Sequence, residues 1–225
     1  AVQGNNSAQV AGVTFNMATA TDAVNLVLDG GLKDTAVAGL TTVTNNTAGA
    51  ATAATISSTG AANTVGTVTL AAAGTSTITS LTINAATDLT AALVAADYAA
   101  TATLTVTGAG KVNLGTAAGG FDGSSIDAST NTGGLTVAAT AALTSFKGST
   151  GNDVLSGTGI TSAAVIDGGA GIDSVAATLV NIGNAAVFKN FEQIELAGAG
   201  AVGSTTLDAA LLTGSTITGV TINGG

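Results

Sequence analysis

The sequence predicts an all-β fold, an irregular β-solenoid or β-roll of stacked short strands with only minor helix. Three observations predict it. Apolar and polar residues alternate with period two in short runs, recurring roughly every ten to fifteen residues with Gly, Asn or Ser between them. Proline, which cannot donate to a hydrogen-bond ladder, is absent. A nine-residue, glycine-rich phrase occurs twice between residues 148 and 176.

Taken in chain order, "AVNLVLDGG" (23–31) reads as a strand entering a glycine turn, and "TVGTVTL" (64–70) and "STITSLTIN" (76–84) read likewise. The segment "TDLTAALVAADYAA" (87–100) is the best helix candidate: Thr87 or Asp88 serves as its cap, and Leu89, Leu93 and Ala96 share a face. In "TATLTVTGAG" (101–110), Thr101, Thr103, Thr105 and Thr107 line one face of a strand, and Ala102, Leu104 and Val106 line the other. Further strands are expected at 134–140, 192–198 and 215–224, and a helical turn or two at 206–212.

Composition narrows the function. Hydrophobic residues make up 46% of the 225 and aromatics only 3%, so the apolar mass is Ala, Val, Leu and Ile, suited to thin layers and close stacking. Thirteen carboxylates, eleven of them Asp, face four lysines and no arginine, for a net charge of −9. That sign excludes a nucleic-acid partner and favours cations. Without Cys or His there is no disulfide, thiolate nucleophile or imidazole base. No window approaches twenty apolar residues, so no helical membrane span is expected. The opening "AVQGNNSAQV" lacks the basic-then-apolar pattern of a signal peptide, which implies a removed leader, another export route or a fragment. The closing "TINGG" (221–225) reads as the start of a further glycine phrase.

The repeated phrase carries the strongest chemical signal. Nonapeptides of the form G-G-x-G-x-D-x-U-x, with U large and apolar, build calcium-binding parallel β-rolls. "GGAGIDSVA" (168–176) fits every fixed position, with Gly168, Gly169, Gly171, Asp173 and Val175. "GSTGNDVLS" (148–156) fits through Gly148, Gly151, Asp153 and Leu155, with Ser149 in place of the second glycine. The phrases start twenty residues apart (148 and 168), about one coil of two phrases plus two residues, so both fall on the same side of a roll. The intervening "GTGITSAAVID" (157–167) forms the opposite side, with Ile166 for the core and no Asp in its turn, so one calcium column is expected and not two.

Stacked strands lie about 4.8 Å apart, which makes Asp153 and Asp173 neighbours. Two bare carboxylates about 5 Å apart repel by roughly 3 kcal/mol at an effective dielectric near 20, and a divalent cation reverses that sign. Calcium takes six to eight oxygens. The two aspartates, with turn carbonyls at Gly148, Thr150, Gly169 and Gly171 and with Gly151 in the same turn, supply candidate ligands. The alternative is a pair of ordinary β-turns in which Asp makes local Asx hydrogen bonds.

Other signals are weaker. "GAGAVG" (198–203) has the G-x-G-x-x-G spacing but no room for the helix and distal acid of a dinucleotide site. Glu192 and Glu195, the two glutamates, sit three apart on a strand and so do not pair as hydrolase carboxylates. Asp122 and Asp127 are candidates for a second calcium or for turn caps. The Thr face at 101–107 reads as a solvated strand face and not an ice-binding array. "NNS" (5–7) and "NNT" (45–47) match the N-glycosylation pattern.

On these phrases, and on "IDASTNTGGLTVAATAALTSFKGSTGNDVLSG" (126–157) with its flanking Thr/Ala/Gly-rich strands, the chain resembles RTX-containing bacterial surface-layer proteins of the Caulobacter type. The resemblance implies a secreted, calcium-dependent, non-enzymatic structural protein, exported by a type I system. It also implies self-assembly into a two-dimensional lattice on the cell surface, with lipopolysaccharide contacted through another region. The rival reading is an accessory β region of a secreted RTX adhesin that binds a host surface or glycan. A polysaccharide-active enzyme has little to work with, lacking His, Arg and an acidic cluster. The expected organisation is a Thr/Ala/Gly-rich β region (1–145), an RTX-like calcium-binding roll (146–176) and a further β region (177–225).

Overall fold

In the computed structural model, residues 13–15, 23–30, 43–45, 52–71, 76–115, 120–197, 210 and 212–223 are described. They form an all-β parallel solenoid. Sheet I contains β2 (Ala23–Asp29), β4 (Ala53–Thr59), β6 (Ile78–Ala85), β8 (Tyr98–Gly108), β10 (Ser125–Asn131), β12 (Ser145–Lys147), β14 (Val165–Asp167) and β16 (Phe188–Lys189), stacked in that order. Sheet II stacks β5 (Asn63–Val68), β7 (Leu89–Leu93), β9 (Val112–Asn113), β11 (Leu135–Ala139), β13 (Val154–Gly157), β15 (Ser174–Ala176), β17 (Gln193–Ala197) and β18 (Gly219–Asn223). A separate pair joins β1 (Val13–Phe15) to β3 (Val43–Asn45). From β4 to β17 the chain alternates between the sheets, one strand in each per coil, and both sheets run unbroken past residues 145 and 176.

Alternation creates the core. In sheet I, Val24, Ala54, Leu81, Leu104, Ile126, Phe146, Ile166 and Phe188 stand in one register row and all are buried. In sheet II, Val137, Leu155, Val175 and Ile194 form the facing row. One residue per coil thus supplies each layer. Aliphatic residues fill most of both rows, with Phe146 and Phe188 the aromatic members, because the two sheets share a single core. The Thr row of 101–107 lies on the outer face of β8, exposed at Thr101, Thr103 and Thr105, while Ala102, Leu104 and Val106 point inward.

The helix expected at 87–100 does not form. Leu89, Ala91 and Leu93 are buried and Thr90 and Ala92 exposed, which is the period of a strand. A single 3-10 turn, Ala95–Asp97, then leads into β8. Leu89 and Leu93 satisfy helical and strand spacing equally, and stacking on β5 and β9 decides between them. Asp97, whose carboxyl burial pushes above the ordinary range, turns inward and accepts the Leu70 N–H. The helical turn expected at 206–212 falls largely outside the described residues, as do "GAGAVG" and the "NNS" tripeptide. No helix among the described residues is long and apolar enough to cross a membrane.

Candidate metal centre

The turns 148–153 and 168–173 occupy the same corner on successive coils, linking β12 to β13 and β14 to β15. They are stitched rung to rung: Gly148 N–H donates to Asp167 O (2.8 Å), Ala170 N–H to Ser149 O (3.2 Å) and Ser174 N–H to Asp153 O (2.8 Å). Val154 pairs with Ser174, which sets Asp153 directly beside Asp173. Both aspartates are 0% exposed. The structure therefore brings the two predicted carboxylates together, on the sheet II end of the corner.

A third carboxylate joins them. Ser174 pairs with Gln193, so Glu192 takes the next place in the column. Each carboxylate accepts the backbone N–H of the rung before it. Leu135 N–H donates to Asp153 Oδ1, Asp153 N–H to Asp173 Oδ1 (2.8 Å), and Asp173 N–H to Glu192 Oε2 (2.9 Å). The column thus satisfies corner amides that would otherwise be buried without acceptors. Glu192 was not singled out as a site residue by sequence. Its signal was spacing: it follows Asp173 by nineteen residues, nearly the interval between Asp153 and Asp173.

The two phrases differ at their second position, and the difference decides the electrostatics. Ser149 serves Asp153 twice, its N–H donating to Oδ2 (2.6 Å) and its hydroxyl to Oδ1 (3.0 Å). With the Leu135 amide, both oxygens of Asp153 are occupied. Burial raises the Asp153 carboxyl above its ordinary range, and these donors oppose the rise. In the second phrase Gly169 has no hydroxyl, and its amide donates to Asp167 Oδ1 instead (3.0 Å). Asp173 Oδ2 is left buried with no hydrogen-bond partner. Burial is the first cause that pushes the Asp173 carboxyl up to about 7; the Asp153 amide opposes it, and the negative charges of Asp153, Glu192 and Asp167 add to it. Raised in this way, the Asp173 carboxyl holds its proton below about pH 7 in the metal-free chain, and a positive charge beside Oδ2 would lower it again.

The other predicted residues are distributed around this point. Gly148 is buried, Gly151 half-buried, and Thr150, Gly169 and Gly171 exposed on the stacked turns. Thr150 N–H donates to Asn131 O (3.1 Å), and Gly151 N–H donates to the Ser149 hydroxyl oxygen (3.0 Å). Asp127 lies elsewhere, on the outer face of β10, where Ser129 caps it through its hydroxyl (2.6 Å) and N–H (3.0 Å); the hydroxyl bond is the chief cause that holds its carboxyl below the ordinary range. Asp122 sits in the loop before β10, and Glu195 is buried within β17.

Among the described residues no three His, Cys, Asp or Glu side chains form a preassembled metal cluster. An ion at Asp173 Oδ2 would accordingly draw oxygens from turn carbonyls and water, donors that calcium accepts readily. The donor set is all oxygen and anionic, which suits a hard cation and not a thiolate- or imidazole-seeking metal. No protein-family model, curated protein or solved structure matches this chain.

Proposed function

We propose that this chain is a structural, non-enzymatic module of a bacterial cell surface, a solenoid that calcium locks at the corner of residues 148–153, 168–173 and 190–192 and that assembles with copies of itself into a two-dimensional lattice. One observation carries the cation: the buried, unpartnered Oδ2 of Asp173, in the phrase that matches the β-roll pattern at every fixed position. Asp173 would hold the ion, with Asp153, Glu192 and Asp167 supplying the surrounding negative potential and the carbonyls of Gly148, Thr150, Gly169 and Gly171 lying on the same two turns. The ion would supply positive charge to the corner, replacing repulsion between rungs by attraction.

The lattice and the surface location rest on the sequence resemblance together with the form of the fold. A solenoid places one rung per coil on each sheet, so each face presents a row of side chains at a regular spacing, and such rows suit repeated contacts. Electron microscopy of the purified chain tests the assembly. In millimolar calcium ordered sheets are expected. In chelator they disperse, and they return when calcium is restored. A chain that remains monomeric in both conditions contradicts the lattice and leaves the adhesin-module reading in its place.

A further inference from the structure

The outer face of sheet I carries a row that the strand register makes visible and the sequence does not. Asp127 pairs with Lys147, Lys147 with Asp167 and Asp167 with Lys189. Four consecutive rungs, about 4.8 Å apart, therefore read minus, plus, minus, plus on one face. Lys147 and Lys189 are exposed, and Asp127 and Asp167 half-buried. Above this row the same register position is Thr105, Thr82 and Thr55, all uncharged. Two of the four lysines of a chain with net charge −9 stand here, so this stretch is neutral on a molecule that is otherwise acidic. Two copies meeting at this row bring no net charge together.

We propose that this row is a self-recognition surface, on which a second copy of the chain docks face to face about a two-fold axis lying parallel to the strands and midway between β12 and β14. That axis reverses the rung order of the second copy. Lys147 then faces Asp167 of the partner subunit, and Asp127 faces Lys189 of the partner subunit. The symmetry repeats both pairs, so all four charges of each copy meet an opposite charge. A two-fold axis along the solenoid sets Asp127 against Asp127 and Lys147 against Lys147, like on like. The alternation thus selects one docking orientation and rejects the other. Val165, in β14 at the level of the axis, is 59% exposed and lies at the centre of the contact.

Within one copy the same row braces neighbouring rungs. The two roles separate by charge exchange. Swapping the signs at the two ends, with Asp127→Lys and Lys189→Asp together, leaves every cross-copy pair opposite in sign but places like charges on adjacent rungs. Either substitution alone sets like charges across the axis. The proposal does not depend on the cation at Asp173, and its test is run in chelator, with circular dichroism confirming that each variant is folded. Sedimentation equilibrium at low ionic strength is expected to show dimers of the native chain that weaken as salt is raised. Each single reversal weakens association roughly tenfold, and the double exchange restores it. A native chain that sediments as a monomer, or association that the single reversals leave unchanged, overturns the proposal. So does a double exchange that associates no better than the single variants, which assigns the row to bracing its own stack.

Discussion

In chelator at pH 7.5, Asp173→Asn is expected to unfold at a higher temperature than the native chain. Replacing a buried acid usually destabilises, so the sign is diagnostic. The Asp173 carboxyl is pushed up to about 7 in the fold, against an ordinary value of 3.8, chiefly by burial. A group whose folded value is raised in this way favours the fold only while protonated. Its contribution is complete below about pH 4 and is lost as pH rises through about 7. The interval corresponds to on the order of 4 kcal/mol at most. Asparagine keeps an oxygen for the Asp153 N–H and removes the charge, so the metal-free variant escapes that loss. The two chains are expected to converge in stability near pH 4. Calcium narrows the gap at pH 7.5: an ion at one hundred times its dissociation constant stabilises the native chain by about 2.7 kcal/mol. That amounts to roughly 5–10 °C for a chain of this length, while the variant stays put. A variant less stable than the native chain in chelator at every pH contradicts this account of Asp173.

Gly148→Ala is expected to cost about 3 kcal/mol, at the upper end of overpacking effects. A Cβ built on Gly148 overlaps the carbonyl oxygen of Gly168 on the next rung and comes within 2.6 Å of Asp153 Oδ2. Both obstacles are fixed, one by the backbone and one by its hydrogen bonds, so the rungs must separate. Gly115 is the control. It has φ +87° with nothing within 4 Å of its Cβ position. Gly115→Ala therefore meets only backbone strain, about 1 kcal/mol. Urea unfolding of the two variants separates close approach from strain. If Gly148→Ala is no worse than Gly115→Ala, the turns are not stacked as tightly as the structure has them. A folded Gly148→Ala chain should also lose its response to calcium, since separated rungs no longer share an ion.

The strands were legible because burial on one face imposes period two, and runs such as 23–29, 81–85 and 101–107 carry it plainly. The stretch 89–93 was misread because leucines four apart fit both periods, and only the neighbouring rungs distinguish them. The pairing of Asp153 with Asp173 followed from the repeat of the phrase, which is a one-dimensional signal. Glu192 was hidden because its surroundings lack the glycines of the phrase, and only the coil length aligns it. The alternating charges on sheet I were hidden for the same reason: their separations of 20, 20 and 22 residues become regular only once the register is known. The role of Ser149 was also invisible. In sequence it is a lapse from the pattern, whereas in the fold its hydroxyl and amide occupy the oxygens of Asp153.

The most direct measurement is calorimetric titration of calcium into the metal-free native chain and into Asp173→Asn, both at pH 7.5. The native chain is expected to bind at least one ion, and the variant one fewer ion per chain. A native chain that takes up no calcium, or a variant that binds the same number with the same affinity, contradicts a cation at Asp173.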